Sequence, residues 1–479
     1  MFIIMIPFKH FVTCLTVVLF LSFSLDTSLA ISISEEKEVA KKFMRMIQER
    51  QVILNDPIAN HMITQVGNHI LSFLPPQPFD YSFYIVDDDV FNAFASPGAN
   101  VFAYRGLITA LDSIDELAVI IGHEIAHAAS RHVSESIDRS KYISIGSLAG
   151  MLAGIFIASK SDGDAGAAVM KGTIAVGQTA MLSFTRENET EADEKGIMFL
   201  KESCFDPKGL LSGLMKIRSS DYRGVEKIPD YVKTHPGTGT RIGHIENILS
   251  GYTPVKEKAK CHEDFRFDMV KYRLLGLYAD IEPTFKLLTT QLSAPPPKAD
   301  LAAIHYGLGL VYARKRMGEK ALYHMNEALA INIFDPMVLL EMGRIYLLEG
   351  EPQKALNVLK GIESDPIMGL LARFQQASAL LELRNLAASK KLLDTIIDKQ
   401  PDLYPEAYYL LANILSLEQK TGESHYYLGV YYAKLNNTKT AFVHLNKAVT
   451  ELRDEAWIKR TKDLLDQLKQ KLAEDRKRS

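Results

Sequence analysis

The chain has 479 residues, too many for one hydrophobic core, so two or three domains are expected. Its composition, 47% hydrophobic and 24% charged, is that of an ordinary globular protein. A formal charge of -3 gives no reason to expect nucleic acid as a partner.

Lys9 and His10 precede an apolar run, Phe11 to Leu25, and Ser28-Leu29-Ala30 offers small residues where a signal peptidase reads. Residues 1–30 are therefore expected to be a cleaved secretory signal. An uncleaved anchor is the alternative, although the run is short for a membrane span. Cys14 leaves with such a signal. Cys204 and Cys261 then remain as an even pair, either one disulfide or two buried thiols.

Residues 35–74 read as helices broken at Asp56-Pro57, and Pro75-Pro76 ends the segment. Tyr81 to Val86 alternates like a strand. Asn92 to Gly106 is a second extended stretch, interrupted by Ser96-Pro97-Gly98. Ser113 with Glu116 is a capping-box pattern that opens a long helix through Leu117, Val119 and Ile120. Two apolar stretches, Tyr142 to Ala158 and Ala167 to Phe184, flank a polar turn. They are short for a membrane hairpin and rich in Gly, Ala and Ser, so buried or groove-covering helices are the expectation. A helix is expected from near Arg186 to Glu202, another from Asp206-Pro207, and a third near Thr240 after the loop Thr234-His235-Pro236-Gly237.

Beyond a polar, Lys-rich connection at 253–265 the chain repeats. Gly309, Tyr312, Ala321 and Ala328 recur 34 residues later as Gly343, Tyr346 and Ala355, with Ile362 in the last place. Gly429, Tyr432, Ala441 and Ala448 keep the same spacing, and Ala377 and Pro401 mark a weaker copy. Small residues at this period are the signature of tetratricopeptide (TPR) repeats. Residues 402–420 break register and are expected to be an irregular helix, and the charged helix from Asp454 a solvating cap. Lone histidines here, such as His305 and His324, read as surface or packing residues.

His123 and His127 lie four apart on the predicted helix, so both imidazoles project from one face and can share one zinc ion. Glu124 beside them is placed to act as general base. A catalytic zinc needs a third protein ligand. The metzincin continuation fails at Ser130 and Val133, with His132 one residue short of its third histidine. The acidic helix Arg186 to Asp193 is the best supply. It offers two faces, Glu189 with Asp193 or Glu187 with Glu191, and spacing does not choose between them.

His-Glu-Ile-Ala-His at 123–127, with Ser183-Phe184-Thr185-Arg186 leading into Glu189-Thr190-Glu191-Ala192-Asp193, resembles the gluzincin family of HtpX-like and CAAX prenyl proteases. Asn92-Ala93-Phe94-Ala95, Pro97-Gly98 and Gly106 are similar to that family's stretch before the metal helix. The resemblance covers roughly residues 35–250. Secretion and TPR repeats narrow it to the BepA-type periplasmic branch. It implies Glu189 as third ligand, and for Asp193 an orienting or proton-donating role. His235-Pro236 followed by Arg241 is also similar to the family pattern. It marks His235 as a gate on the metal's fourth position or as an oxyanion stabiliser. The departure from the family at Thr185, where Ser is common, is minor.

The expected architecture is mainly α. A gluzincin-type α+β metalloprotease domain with a small sheet spans 31–252, a linker with connecting helices 253–297, and an α-helical TPR solenoid with a capping helix 298–479. The expected activity is zinc-dependent endoproteolysis, one zinc per chain, on unfolded or misassembled proteins in the periplasm. Substrate is expected along the strand Ala99, Asn100, Val101, Phe102, Ala103, adding by backbone bonds. The TPR groove implies a protein partner, and the resemblance suggests the outer-membrane assembly machinery. Peripheral membrane contact is left open. The rival readings are a TPR chaperone or scaffold with a silent protease site, and an integral-membrane protease using the 142–184 hairpin.

Overall fold

The computed structural model describes residues 31–50, 52–138, 184–222, 231, 234–253, 265–294, 298–402 and 404–478. The signal segment, the apolar stretch 142–183 and Cys261 lie outside the described residues. Cys204 is disulfide-bonded. No described helix is long and apolar enough to cross a membrane. The chain divides into two compact units. One holds residues 63–262 with the N-terminal segment up to Leu54, and the other holds Asn55–Met62 with Glu263–Ser479.

In the first unit, helix α1 (Ile33–Glu49) starts where sequence chemistry stops the extended chain. Ser32 accepts the Glu35 N–H while the Glu35 carboxylate returns to the Ser32 backbone. Helix α2 (Pro57–Leu71), whose residues up to Met62 are counted with the second unit, begins at the proline predicted to break the segment. Three strands follow: β1 (Ser82–Val86), β2 (Ala93–Ser96) and β3 (Asn100–Tyr104). Gly98 and Ala99 both take positive φ, 75° and 59°, which reverses the chain between β2 and β3. The strand order is β1-β3-β2, with β3 parallel to β1 and antiparallel to β2. Phe102 fixes the register. It lies opposite both Tyr84 and Phe94 and stacks on them at 5.1 and 4.8 Å, while Phe43 of α1 meets it edge-on at 5.8 Å.

This topology corrects one expectation. The strand assigned to substrate, Ala99 to Ala103, is the central one. Its backbone is bonded on both sides and every residue of β3 is buried. It has no free edge to offer. Of the two outer strands, β1 carries an isolated bridge to Ile53 at Val86, whereas among the described residues β2 is bonded to β3 alone.

After the short helix α3 (Arg105–Ala110) comes α4 (Ile114–Ala129), buried from Leu117 through Ala128. Ser113 caps it by accepting the Glu116 N–H. The other half of the expected capping box is diverted, because the Glu116 carboxylate takes the Asp112 N–H and Lys216 instead. Helix α5 (His132–Asp138) follows at once. Helices α6 (Arg186–Glu202), α7 (Gly209–Tyr222) and α8 (Thr238–Leu249) follow among the described residues of the unit. Gly196 of α6 faces the His123 backbone, where a β-carbon would stand 3.3 Å from the His123 nitrogen. The missing side chain lets α6 lie close along α4.

The second unit is helical throughout its described residues. Helices Phe267–Tyr278 and Ile281–Ser293, in the region expected to connect the domains, belong to it. Paired helices follow, among them Lys298–Arg314 with Gly318–Ile331 and Pro336–Leu348 with Pro352–Leu359. The repeated glycines sit where paired helices cross. A β-carbon on Gly309 would meet Met325, one on Gly343 Leu359, and one on Gly429 Leu445. The segment expected to be irregular contains a regular helix, Pro405–Leu417, with proline in its first turn. The charged helix Glu455–Arg478 closes the chain. His305 and His324 are buried and face one another, Nδ1 to Nδ1 at 3.0 Å. His425 and His444 repeat the arrangement at 3.0 Å.

Candidate metal centre

The helix α4 carries His123, Glu124 and His127, all fully buried. Their neighbour is the first half of α6. Thr185 starts that helix by accepting the Asn188 N–H while Asn188 accepts the Thr185 N–H, so threonine serves as a cap as well as serine does. Glu189 and Asp193 are fully buried, whereas Glu187 and Glu191 are exposed. The two faces left open by spacing are thus distinguished by packing.

Glu189 lies within 3.5 Å of His123 Nε2 and 3.3 Å of His127 Nε2, and those two nitrogens are 3.0 Å apart. His235 arrives from the loop before α8. Its Nδ1 stands 3.0 Å from Glu189 and 3.4 Å from His123 Nε2. One donor atom from each of His123, His127, Glu189 and His235 falls within 4.8 Å of all the others. Phe184 stacks on His127 at 3.8 Å and Tyr231 on His235 at 4.4 Å, walling the centre with aromatic faces.

Behind the donors, an Asp193 oxygen stands 2.9 Å from His123 Nδ1. Arg241 of α8 grips both carboxylates: Nε and Nη2 donate to the two Asp193 oxygens, and Nη1 stands 2.6 Å from Glu189 Oε2. Both Asp193 oxygens are thereby engaged, which suits orienting His123 better than donating a proton. The Arg241 clamp spans 48 residues to Asp193, beyond the reach of any local pattern.

The protonation chemistry follows from burial and charge. Burial pulls the His123 imidazole down, but Asp193 and Glu189 outweigh it and hold it up at about 9. Burial dominates at His127 and leaves it well below the ordinary histidine value. Burial likewise raises Glu124. Burial works against ionisation of Glu189 too, yet His235, His123 and His127 win and hold it well below the usual range. Asp193 is lowered against its burial by Arg241.

These residues suit a divalent metal on observations independent of any resemblance. Counting the imidazoles as neutral, as metal ligands must be, three buried carboxylates, Glu124, Glu189 and Asp193, stand against one buried guanidinium, an imbalance that a dication neutralises. Both Glu124 oxygens and His235 Nε2 are buried and close no hydrogen bond. Nitrogen and carboxylate donors together are the set zinc prefers.

The strands predicted before the metal helix meet the centre through β2. The Ala95 backbone lies close enough to Glu124 to work against the rise that burial imposes on that carboxyl. Ala95, His132, Phe184 and Tyr231 were not singled out as functional from sequence. The β2–β3 turn signal at Ser96-Pro97-Gly98 was visible, but not which strand would lie outermost.

Residues 57–249 match the family model for Peptidase family M48. The chain is 28% identical over 396 residues to the beta-barrel assembly-enhancing protease of Yersinia pestis, covering 80% of this chain and 77% of that one. It is 30% identical over 248 residues to the protein of that name from Escherichia coli (strain K12), covering 52% of this chain and 50% of that one. With the mitochondrial metalloendopeptidase OMA1 of Homo sapiens it shares 25% identity over 181 residues, 37% of this chain and 34% of that one. Residues 57–249 accordingly form a metallopeptidase domain of family M48.

Proposed function

We propose that this chain is a zinc-dependent endopeptidase, with one zinc per chain, that degrades unfolded or misassembled proteins in periplasmic and outer-membrane protein quality control. The observation that carries the reading is the convergence of His123, His127 and Glu189 beside Glu124, a buried carboxylate that closes no hydrogen bond within the fold. The cellular setting rests on the expected signal at 1–30 and on relatives named for β-barrel assembly.

His123, His127 and Glu189 would hold the zinc, which would supply Lewis acidity to the scissile carbonyl. Glu124, its proton affinity raised by burial, takes a proton from the attacking water and passes it to the leaving amine. Asp193 and Arg241 hold His123 and Glu189 in place. The substrate backbone adds to the outer edge of β2, Ala93–Ser96, beside Glu124, and so is read as extended chain rather than as sequence. His235, 3.0 Å from Glu189 and 3.5 Å from Glu124, would act as a gate that keeps water from the metal. The repeats recruit a protein partner through their groove, with the outer-membrane assembly machinery as the candidate.

The test is zinc quantitation combined with hydrolysis of an unfolded outer-membrane protein or casein. Glu124→Gln is expected to keep zinc and lose roughly 10²- to 10⁴-fold in rate. Glu189→Ala is expected to lose zinc. Full zinc occupancy in Glu189→Ala would remove it as the third ligand. Equal, negligible hydrolysis by the wild type and Glu124→Gln would favour the scaffold reading.

A further inference from the structure

His132 has no part in the chemistry described so far, yet it is buried, 2% exposed, against a proposed metal ligand. It reaches that place through an unusual turn. Arg131, immediately after the metal helix, takes a left-handed φ of 56°, which bends the chain so that α5 begins with His132 folded back on His127. A non-glycine residue in that region is strained, and the strain is held by anchoring. Arg131 donates to Glu36 at 2.8 Å and to the Ile31 carbonyl at 2.6 Å, and Ser134 donates to the same Glu36 oxygen at 2.6 Å.

We propose that His132, backed by Glu191, is a positioning residue that fixes the tautomer and ring orientation of His127. The proposal rests on the zinc reading above. His127 turns Nε2 toward His123 and Glu189, so Nε2 supplies the lone pair for the metal. A neutral imidazole that gives Nε2 to a metal keeps its proton on Nδ1. His127 Nδ1 lies 2.9 Å from His132 Nδ1. His127 is therefore the donor and His132 Nδ1 the acceptor, which puts the His132 proton on Nε2. That nitrogen lies 3.3 Å from Glu191 Oε2. Glu191 in turn accepts from Lys195 Nζ at 2.6 Å and from Ser130 Oγ at 3.2 Å. Every group in the chain has one consistent role, and each tautomer is determined by the next.

The two metal-binding histidines are thus oriented differently. His123 meets a carboxylate directly, at 2.9 Å from Asp193. His127 meets a neutral ring, with its carboxylate one imidazole further out and at the surface. A carboxylate placed directly on His127 would bring a fourth negative charge into a centre that holds one guanidinium. An imidazole delivers the orienting hydrogen bond without that charge.

The experiment uses the full chain. Zinc affinity is measured by chelator competition, the visible spectrum is recorded for the cobalt-loaded protein, and melting is followed without metal. His132→Phe keeps bulk and removes both hydrogen bonds. It is expected to weaken zinc roughly 10- to 100-fold and to shift the cobalt bands. His132→Gln, which can still accept and donate, is expected to recover most of the affinity. Glu191, being exposed, tests the same chain without a buried substitution. Glu191→Ala is expected to weaken zinc several-fold and leave metal-free melting unchanged. The proposal is overturned if Glu191→Ala and His132→Phe bind zinc as the wild type does. It is equally overturned if His132→Gln and His132→Phe lose affinity alike, in step with metal-free melting, which is the mark of packing alone. Failure of the zinc reading looks different: the wild type itself carries no stoichiometric zinc, or His127→Ala retains it.

Discussion

The second unit contains a buried ionic network whose strength can be read against pH. Arg273 donates to Asp56 at 2.8 Å, to Glu341 at 2.7 Å and to the Tyr306 hydroxyl at 3.0 Å, and Arg344 donates to the other Glu341 oxygen at 2.6 Å. Burial opposes ionisation of Glu341, but Arg344 and Arg273 overcome it and hold the carboxyl down at about 2, from an ordinary 4.5. That shift corresponds to about 3 kcal/mol of folding stability. The folded-state value is the lower one, so the contribution is fully present above the unfolded value. It drains as pH falls toward the folded value, leaving about 1.5 kcal/mol by pH 3. Glu341→Gln keeps the shape and removes the charge. It is expected to destabilise the unit by about 3 kcal/mol at pH 7 and by progressively less toward pH 3. The chain's single tryptophan, Trp457, lies in this unit, 5.1 Å from the Tyr426 ring, so its fluorescence during urea unfolding reports this unit selectively. Unfolding of wild type and variant at pH 7, 5 and 3 would give the dependence. A difference that stays constant across that range, or one below about 1 kcal/mol at pH 7, refutes the account of the network.

Zinc binding should release a proton at pH 7, because the metal-free His123 titrates at about 9 and must give up its proton to become a ligand. Calorimetry in buffers of different ionisation enthalpy should show about one proton per zinc and an affinity that rises with pH up to about that value. Zero release would contradict the assignment. His235→Ala should raise proteolysis or self-cleavage, and the rise should vanish in the double variant with Glu124→Gln. A fall in activity would assign His235 to oxyanion stabilisation instead. A chain ending near residue 265 should still bind zinc, since every proposed ligand precedes that point, but should lose partner recruitment. It should also be less stable, because Asp56, which caps α2 through the Ile58 and Ala59 N–H groups, loses Arg273 and Tyr278. Wild-type stability of the truncated chain would contradict that cost.

The parts of the centre legible in sequence are those carried by local rules. The 123–127 spacing is a helix property. Helix α6 was read to its ends, Arg186 and Glu202, with the phase of Glu189 and Asp193 as one of two options. The choice between those options depends on α4 lying against α6, and no periodicity within α6 contains it. The substrate strand was misplaced for a related reason. Residues 92–106 read as one extended stretch with a turn, which is correct. That β1 would pair in parallel beside β3 and push β2 to the outside is a contact between distant segments. The helix expected at 402–420 is regular over Pro405–Leu417; loss of register with the repeat suggests irregularity, but a regular helix can leave the repeat without leaving helical geometry. Arg241 carried only a family likeness until α8 brought its guanidinium onto two carboxylates at once.

The position of His235 bears on whether it gates or assists. An oxyanion stabiliser must leave space between itself and the general base for the reacting carbonyl. His235 leaves little: Nδ1 is 3.0 Å from Glu189 and Nε2 is 3.5 Å from Glu124, so the ring touches both a proposed ligand and the base. Nor is it loosely held there. The Tyr231 ring stacks on it at 4.4 Å, and its own N–H donates to the Tyr231 carbonyl at 2.8 Å. Two residues later Gly237, at φ 86°, turns the chain into α8, which carries the Arg241 clamp. Withdrawing the imidazole therefore means breaking its contacts with Tyr231, Glu124 and Glu189 Oε1. The Arg241 clamp uses other atoms, Glu189 Oε2 and the Asp193 carboxylate. A gate at His235 would thus act without releasing the carboxylates that Arg241 holds.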